Sequence, residues 1–295
     1  MKKILALFAA ILFLLPCLCG IAEESTQTII IDKTKGENAD FAFGEDEPLL
    51  EVFFPSIYGC DAALVRCGDD AMLIDCAGSQ YKEGRAMCKH LGVTELTYAV
   101  NSHPDRDHIG GFNHILKEVP AEEFLLGFPE DYDSGDGVRF KVYEDLHAQG
   151  IPFHRVAHGE SIVFGDASVT VYQRTDDHLP RVNNKSVTLM IQFGERRIYF
   201  TGDIQAGAQT LFGENEEGLD LHADILKFPH HGYQPMQESF LAQVSPALVI
   251  ATSGESTTEG IKQLRDRSIP HLLTSHGALR LATNGKIWTV EKFKY

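Results

Sequence analysis

His103, Asp105, Asp107 and His108 fall within one short run, Asn101-Ser102-His103-Pro104-Asp105-Arg106-Asp107-His108-Ile109-Gly110-Gly111. Two imidazoles and two carboxylates so close together can converge on a cation. Their mixture of nitrogen and hard oxygen suits Zn²⁺, Mn²⁺ or Fe²⁺. A solvated polar turn is the plainer alternative, but such turns seldom gather two His and two Asp. The flanking sequence says how the group is positioned. Residues 95–100 read as a short strand. Pro104 is excluded from a helix interior or a central strand, so the ligands sit on a loop at a strand end. Gly110-Gly111 then allows a tight turn before Phe112, where a helix begins.

This run resembles the metal-binding loop of the metallo-β-lactamase superfamily, usually H-x-H-x-D-H, with Asp105 where the second His stands. Worded as S-H-P-D-x-D-H-x-G-G, it is similar to the metallo-hydrolase domain of ComEC-type DNA-uptake proteins. Three further stretches continue the resemblance: Asn183-Asn184-Lys185-Ser186-Val187, Thr201-Gly202-Asp203, and Pro229-His230-His231-Gly232. The resemblance covers roughly residues 49–293 and implies an α/β (α+β) fold, an αββα sandwich of two mixed β-sheets with the site at one edge.

The resemblance also implies roles. His103 and Asp105 would hold one metal, with Asn184 standing for a third His. Asp107, His108 and His230 would hold a second, and Asp203 would bridge. His231 would orient substrate or donate a proton, and Asp107 and Asp203 would share the catalytic work. Asp61, in the turn Tyr58-Gly59-Cys60-Asp61, faces the site or the substrate; capping a turn is an equal alternative. Ser186 and Tyr233 complete the candidate substrate contacts. One or two divalent ions, Zn²⁺ or Mn²⁺, would polarise water and lower its pKa toward neutrality. Two departures fall near the substrate: Tyr233 replaces a small hydroxyl residue, and Ser253-Gly254-Glu255-Ser256-Thr257 replaces a Tyr-x-His-Pro stretch.

The rest of the chain frames this site. Lys2 and Lys3, an apolar run over residues 4–15, and Gly20 and Ala22 make residues 1–22 a secretory signal peptide. A lipid-modified Cys17 or Cys19, or an uncleaved anchor, are the alternatives. Residues 23–47 read as a polar tether with a short strand at Ile29-Ile30-Ile31, and residues 48–295 as the hydrolase domain. Strands and helices alternate through it without a break that marks a second domain. A stretch from Asp131 to Gly137 has calcium-loop composition but lacks the twelve-residue pattern, and reads as a solvated loop. Beyond Ala22 the cysteines are Cys60, Cys67, Cys76 and Cys88. An even count permits disulfides in an oxidising compartment, in any of three pairings; buried free thiols are the alternative.

Charge narrows the function. The formal net charge is −16, and cleavage after Ala22 would make it about −18. No basic cluster is present, and a protein that grips nucleic acid needs Lys and Arg at the phosphates. The reading is therefore a secreted or cell-surface metal-dependent hydrolase, acting on small phosphodiesters. Nucleic acid as a partner is disfavoured by charge, and no stable membrane span follows cleavage. The alternatives are an extracellular nuclease linked to DNA uptake or scavenging, and a catalytically silent metal-binding surface protein.

Overall fold

A computed structural model describes residues 28–129, 137–179 and 182–295. The expected signal peptide and the calcium-like stretch up to Asp136 lie outside the described residues. The first sheet takes β1 (Ile29–Asp32), β2 (Leu50–Phe54), β3 (Ala62–Cys67), β4 (Asp70–Cys76), β5 (Leu96–Asn101), β6 (Ala121–Leu126) and β7 (Phe153–Arg155). The second takes β8 (Ser161–Phe164), β9 (Ala167–Tyr172), β10 (Thr188–Phe193), β11 (Arg196–Phe200), β12 (Ile225–Lys227), β13 (Leu248–Ala251) and β14 (His271–Leu273). The chain then returns to the first sheet with β15 (Leu279–Thr283) and β16 (Ile287–Lys292). The strand orders are β1-β16-β15-β2-β3-β4-β5-β6-β7 and β14-β13-β12-β11-β10-β9-β8. Within the segment expected as a tether, β1 pairs in parallel with β16, and Lys33 bridges to Glu291 at 3.0 Å.

Alternation along the strands builds the layers. Leu50, Val52 and Phe54 of β2 and Ala63, Val65 and Cys67 of β3 point between the sheets, where they meet Leu189, Ile191 and Phe200. The intervening Phe53 and Leu64 point outward. The outer face of the first sheet is covered by α1 (Tyr81–His90), the single turns α2 (Arg106–Ile109) and α3 (Phe112–Ile115), and α4 (Val138–Gln149). The outer face of the second is covered by α5 (Ala206–Glu214), α6 (Glu238–Val244) and α7 (Glu259–Asp266). With both faces buried, central strands can be apolar throughout, as β13 is. The result is the αββα sandwich. Cys60, Cys67, Cys76 and Cys88 are all buried free thiols, so none of the three pairings forms.

Topology also decides where chemistry can gather. Strands β4 and β5 run parallel, as do β11, β12 and β13. Loops leaving parallel strands emerge at one edge, where α/β sheets place their ligand sites. The loops after β4, β5, β11, β12 and β13 carry Ala77, His103, Asp203, His231 and Thr252.

Candidate metal centre

Pro104 ends the β5 extension, and Asp105, extended at φ −68° and ψ 145°, starts α2. Asp107 and His108 therefore lie on one helical turn and not on the irregular loop expected. Gly111 allows the turn to pack: a Cβ there would stand 1.8 Å from the Cys76 carbonyl oxygen. On the opposite sheet, Gly202 (φ 49°) bends the chain into Asp203, and His230 and His231 both adopt left-handed backbone, φ 49° and 58°. Such conformations cost non-glycine residues roughly 1–3 kcal/mol and collect at functional sites.

Three imidazoles turn their Nε2 atoms toward Asp203. Its Oδ2 lies 3.2 Å from His108 Nε2, 3.2 Å from His231 Nε2 and 3.9 Å from His103 Nε2. All three imidazole nitrogens are buried without a hydrogen-bond partner, as is Asp203 Oδ1. The other ring nitrogens explain the aim. His108 Nδ1 donates to Asp75 Oδ2 at 2.8 Å. Ser102 Oγ donates to the same oxygen at 2.6 Å and lies 3.0 Å from His103 Nδ1, whose proton it accepts. His231 Nδ1 faces Asp61 Oδ1 at 3.1 Å. Carboxylate or hydroxyl partners behind each ring thus fix the tautomer that leaves Nε2 as an acceptor, the arrangement typical of metal-ligating histidines.

Asp105 and Asp107 close the site on its open side. Asp105 Oδ2 is 3.6 Å from His103 Nε2. Asp107 Oδ2 is 3.3 Å from His231 Nε2 and 3.9 Å from His108 Nε2. The donors divide about Asp203: His103 and Asp105 on one side, and Asp107, His108 and His231 on the other. Converging orphaned nitrogens and carboxylates fit one or two divalent cations in this set.

Three expected roles change with the geometry. His231 approaches Asp107 and Asp203 more closely than His230 does. His230 Nε2 is 4.0 Å from Asp203 Oδ2, and Gln205 Nε2 donates to its Nδ1 at 3.2 Å, which leaves the proton on Nε2. Asn184 does not replace a histidine, because its Oδ1 accepts from Gln205 N and Ala208 N, both at 3.1 Å, and so ties down the start of α5. Ser186 is fully buried; its hydroxyl donates to Asn183 O and accepts from Asp203 N, so it holds the Asp203 turn and does not face substrate. Tyr233 stands at the rim, its ring 5.4 Å from that of His231.

Asp61 lies within the tight cluster Asp61, His108, Asp203 and His231, yet its oxygens are already engaged. Oδ1 accepts from Thr252 Oγ1 at 2.6 Å as well as from His231. Oδ2 is in a short ion pair with Lys227 Nζ. Asp61 therefore orients His231 as Asp75 orients His108. Lys227, 3% exposed, also donates to Gly202 O at 3.1 Å and lies 3.7 Å from Asp203 Oδ1. Asp75, Lys227 and Thr252 are site residues that the motifs do not single out, and Ser102, which opens the metal-loop motif, gains a role there that the motif did not assign.

The electrostatics follow. Burial favours a neutral Asp61, but Lys227 and His231 outweigh it and hold the carboxyl well below the usual range. Burial likewise opposes ionised Asp203, and His108 and His231 reverse it. For His108, burial pulls the pKa down, while Asp203 and Asp75 drive it well above the ordinary value. His231 behaves the same way between Asp203 and Asp61. For His230, burial dominates and lowers the pKa. In the absence of a cation His108 and His231 favour protonation beside the buried carboxylates, so the cluster calls for positive charge, which a metal ion would supply in place of their Nε2 protons.

Residues 57–241 match the Metallo-beta-lactamase superfamily. The chain belongs to that superfamily. Among curated proteins, competence protein ComA of Neisseria gonorrhoeae is 30% identical over 165 residues, 55% of this chain and 21% of that protein. ComE operon protein 3 of Bacillus subtilis is 25% identical over 167 residues, 56% of this chain and 21% of that one. The chain thus spans about a fifth of the length of these curated relatives. The resemblance to ComEC-type proteins read from the motifs is borne out. In fold, the chain is similar to CmlA, a diiron β-hydroxylase from Streptomyces venezuelae, with a TM-score of 0.50 at 12% identity over 83% of this chain and 55% of that one.

Proposed function

We propose that this metallo-hydrolase is an exported phosphodiesterase of small substrates. The observation that carries the reading is the convergence of His103, His108 and His231 Nε2 on Asp203, each orphaned and each fixed from behind. A divalent ion held there supplies Lewis acidity and activates water at neutral pH. The chain's own groups do the rest. Asp75, Asp61 and Ser102 hold the rings. Asp107, partly open to solvent, accepts a proton at the mouth. His230, with its proton on Nε2, faces the same mouth and donates to the departing oxygen. Lys227 keeps Asp61 charged and Asp203 turned toward the histidines.

Export is supported by the leader pattern in residues 1–22. Among the described residues no helix is long and apolar enough to cross a membrane. A second reading, a nuclease of DNA uptake, is favoured by the relatives named for competence; the net charge of −16 weighs against it. The deciding experiment measures bound metal and hydrolysis of bis(p-nitrophenyl) phosphate, single-stranded DNA and a β-lactam in Zn²⁺ and in Mn²⁺. Turnover of the first substrate is expected. Stoichiometric metal with no turnover of any of them would instead mark a silent binding protein.

A further inference from the structure

Two exposed aromatic rings stand at the mouth of the site, one from each sheet's loops. Tyr58 is 59% and Tyr233 42% exposed. Both are held. Gln80 clamps the backbone of Tyr58, donating through Nε2 to its carbonyl at 2.6 Å and accepting from its N–H at 3.4 Å. The Tyr58 ring lies on Gly254, where a Cβ would come within 2.9 Å of it. Tyr233 follows the left-handed His230-His231-Gly232 turn and sets its ring 5.5 Å from His230 and 5.4 Å from His231. Its hydroxyl reaches over Gly59, where a Cβ would stand 2.7 Å away. Gly59 is the chain neighbour of Tyr58 and donates to Thr252 O at 2.7 Å. The same Thr252 bonds Asp61. Tyr233 therefore packs beside the two histidines, and Gly59 ties the backbone next to Tyr58 to Thr252, which bonds Asp61.

A lone exposed aromatic needs no explanation. Here, among the described residues, the large apolar side chains left exposed are Ile29, Tyr58, Phe140, Val163 and Tyr233, and two of these, Tyr58 and Tyr233, stand next to Gly59. Rigid tyrosines with open faces bind flat rings by stacking, whatever the ring's hydrogen-bonding pattern.

We propose that Tyr58 and Tyr233 form an aromatic shelf that takes a flat ring on the substrate, a nucleobase or aryl group carried on the phosphoryl group held at the metal centre. The inference rests on the phosphodiesterase reading and gives it a substrate class: small phosphoesters bearing a ring, bound through the ring and not through a chain of phosphates.

Calorimetry on the manganese-loaded protein with uridine 5′-monophosphate and with ribose 5-phosphate separates ring from phosphate. The nucleotide is expected to bind about tenfold more tightly. Tyr58→Ala and Tyr233→Ala should each erase most of that preference, leaving the ribose 5-phosphate affinity and the metal content as they were. Tyr58→Phe and Tyr233→Phe should keep it. Equal affinities in the unmodified protein, or alanine variants that weaken both ligands alike, would overturn the shelf. Hydrolysis of bis(p-nitrophenyl) phosphate is followed in parallel. A ring preference without turnover would strike the phosphodiesterase reading and leave the shelf in place.

Discussion

Adjacent His230 and His231 cannot be told apart by sequence, and the difference between them is one ring's hydrogen bond. Gln205 feeds a proton to His230 Nδ1, while Asp61 takes one from His231 Nδ1. His231→Ala and His108→Ala should each abolish tight metal binding, whereas His230→Ala should retain the metal and lose turnover. Asp75→Asn should keep the fold and lower metal affinity about 10–100-fold, the usual cost of losing a carboxylate behind a ligand. Metal content by mass spectrometry together with calorimetry checks all four; retained metal in His231→Ala would return the ligand role to His230. The raised pKa values of His108 and His231 set the pH dependence. Their folded-state pKa lies above the unfolded value, so in the metal-free protein their stabilisation is complete below the ordinary histidine range and is lost as pH rises through the raised values. Metal must displace the same protons. Metal affinity should therefore climb with pH above neutrality and flatten once both rings are neutral, while the metal-free melting temperature falls over that window. A metal affinity independent of pH from about 6 to about 9, a range that starts near the reference histidine pKa and runs upward from it, would contradict the arrangement.

At the scale of elements, five loops from parallel strand ends assemble the centre, and their fit leaves little room. Gly111 shows this most sharply. Its missing Cβ lets the α2–α3 turn lie against Cys76 O at a distance no side chain permits. Gly111→Ala should destabilise the protein by about 1–3 kcal/mol or more through overpacking, and should loosen Asp107 and His108 with it. Thermal melts with and without Zn²⁺ check this: a variant that melts normally and binds metal normally would refute the packing argument. The same elements show what could be read in advance. The His-Pro-Asp loop, the Thr-Gly-Asp turn and the alternating strands were legible because their residue types are restricted by backbone geometry and by burial. Asp75, Lys227 and Thr252 were not, because each ends an apolar strand and gains meaning only when parallel strands align their C-terminal ends. A signal was present: a carboxylate in Met72-Leu73-Ile74-Asp75 and an ammonium in Ile225-Leu226-Lys227 must be buried, and a buried charge needs a partner. Asn184 and Ser186 were misplaced for the converse reason. Their motif marks the turn that supports Asp203, and a backbone-bonding role leaves the same residue types as a ligand role.

At the scale of the whole molecule, export and charge make separate claims. Processing after Ala22 should give exported protein a first residue Glu23, read by intact-mass spectrometry; Met1 retained would leave residues 1–22 as an anchor. Charge bears on substrate. Lys227, the cation built into the centre, is buried and committed to Asp61, so it is not available to a polyanion. The chain as a whole repels one, at −16. A protein that neutralises several phosphates loses about 10³–10⁵ in affinity between 50 and 200 mM salt. Hydrolysis here should instead depend on the centre and the ring, both short-ranged. Turnover of bis(p-nitrophenyl) phosphate is therefore expected to vary less than about threefold across that salt range, where screening acts mainly on long-range charge, and duplex DNA should bind weakly throughout. Asp105→His separates this claim from the chemistry: it restores the usual superfamily ligand beside His103 and should tighten zinc without creating DNA affinity. Sub-micromolar duplex binding with a steep salt slope would mean that Lys and Arg side chains away from the centre outweigh the net charge, and the nuclease reading would take precedence.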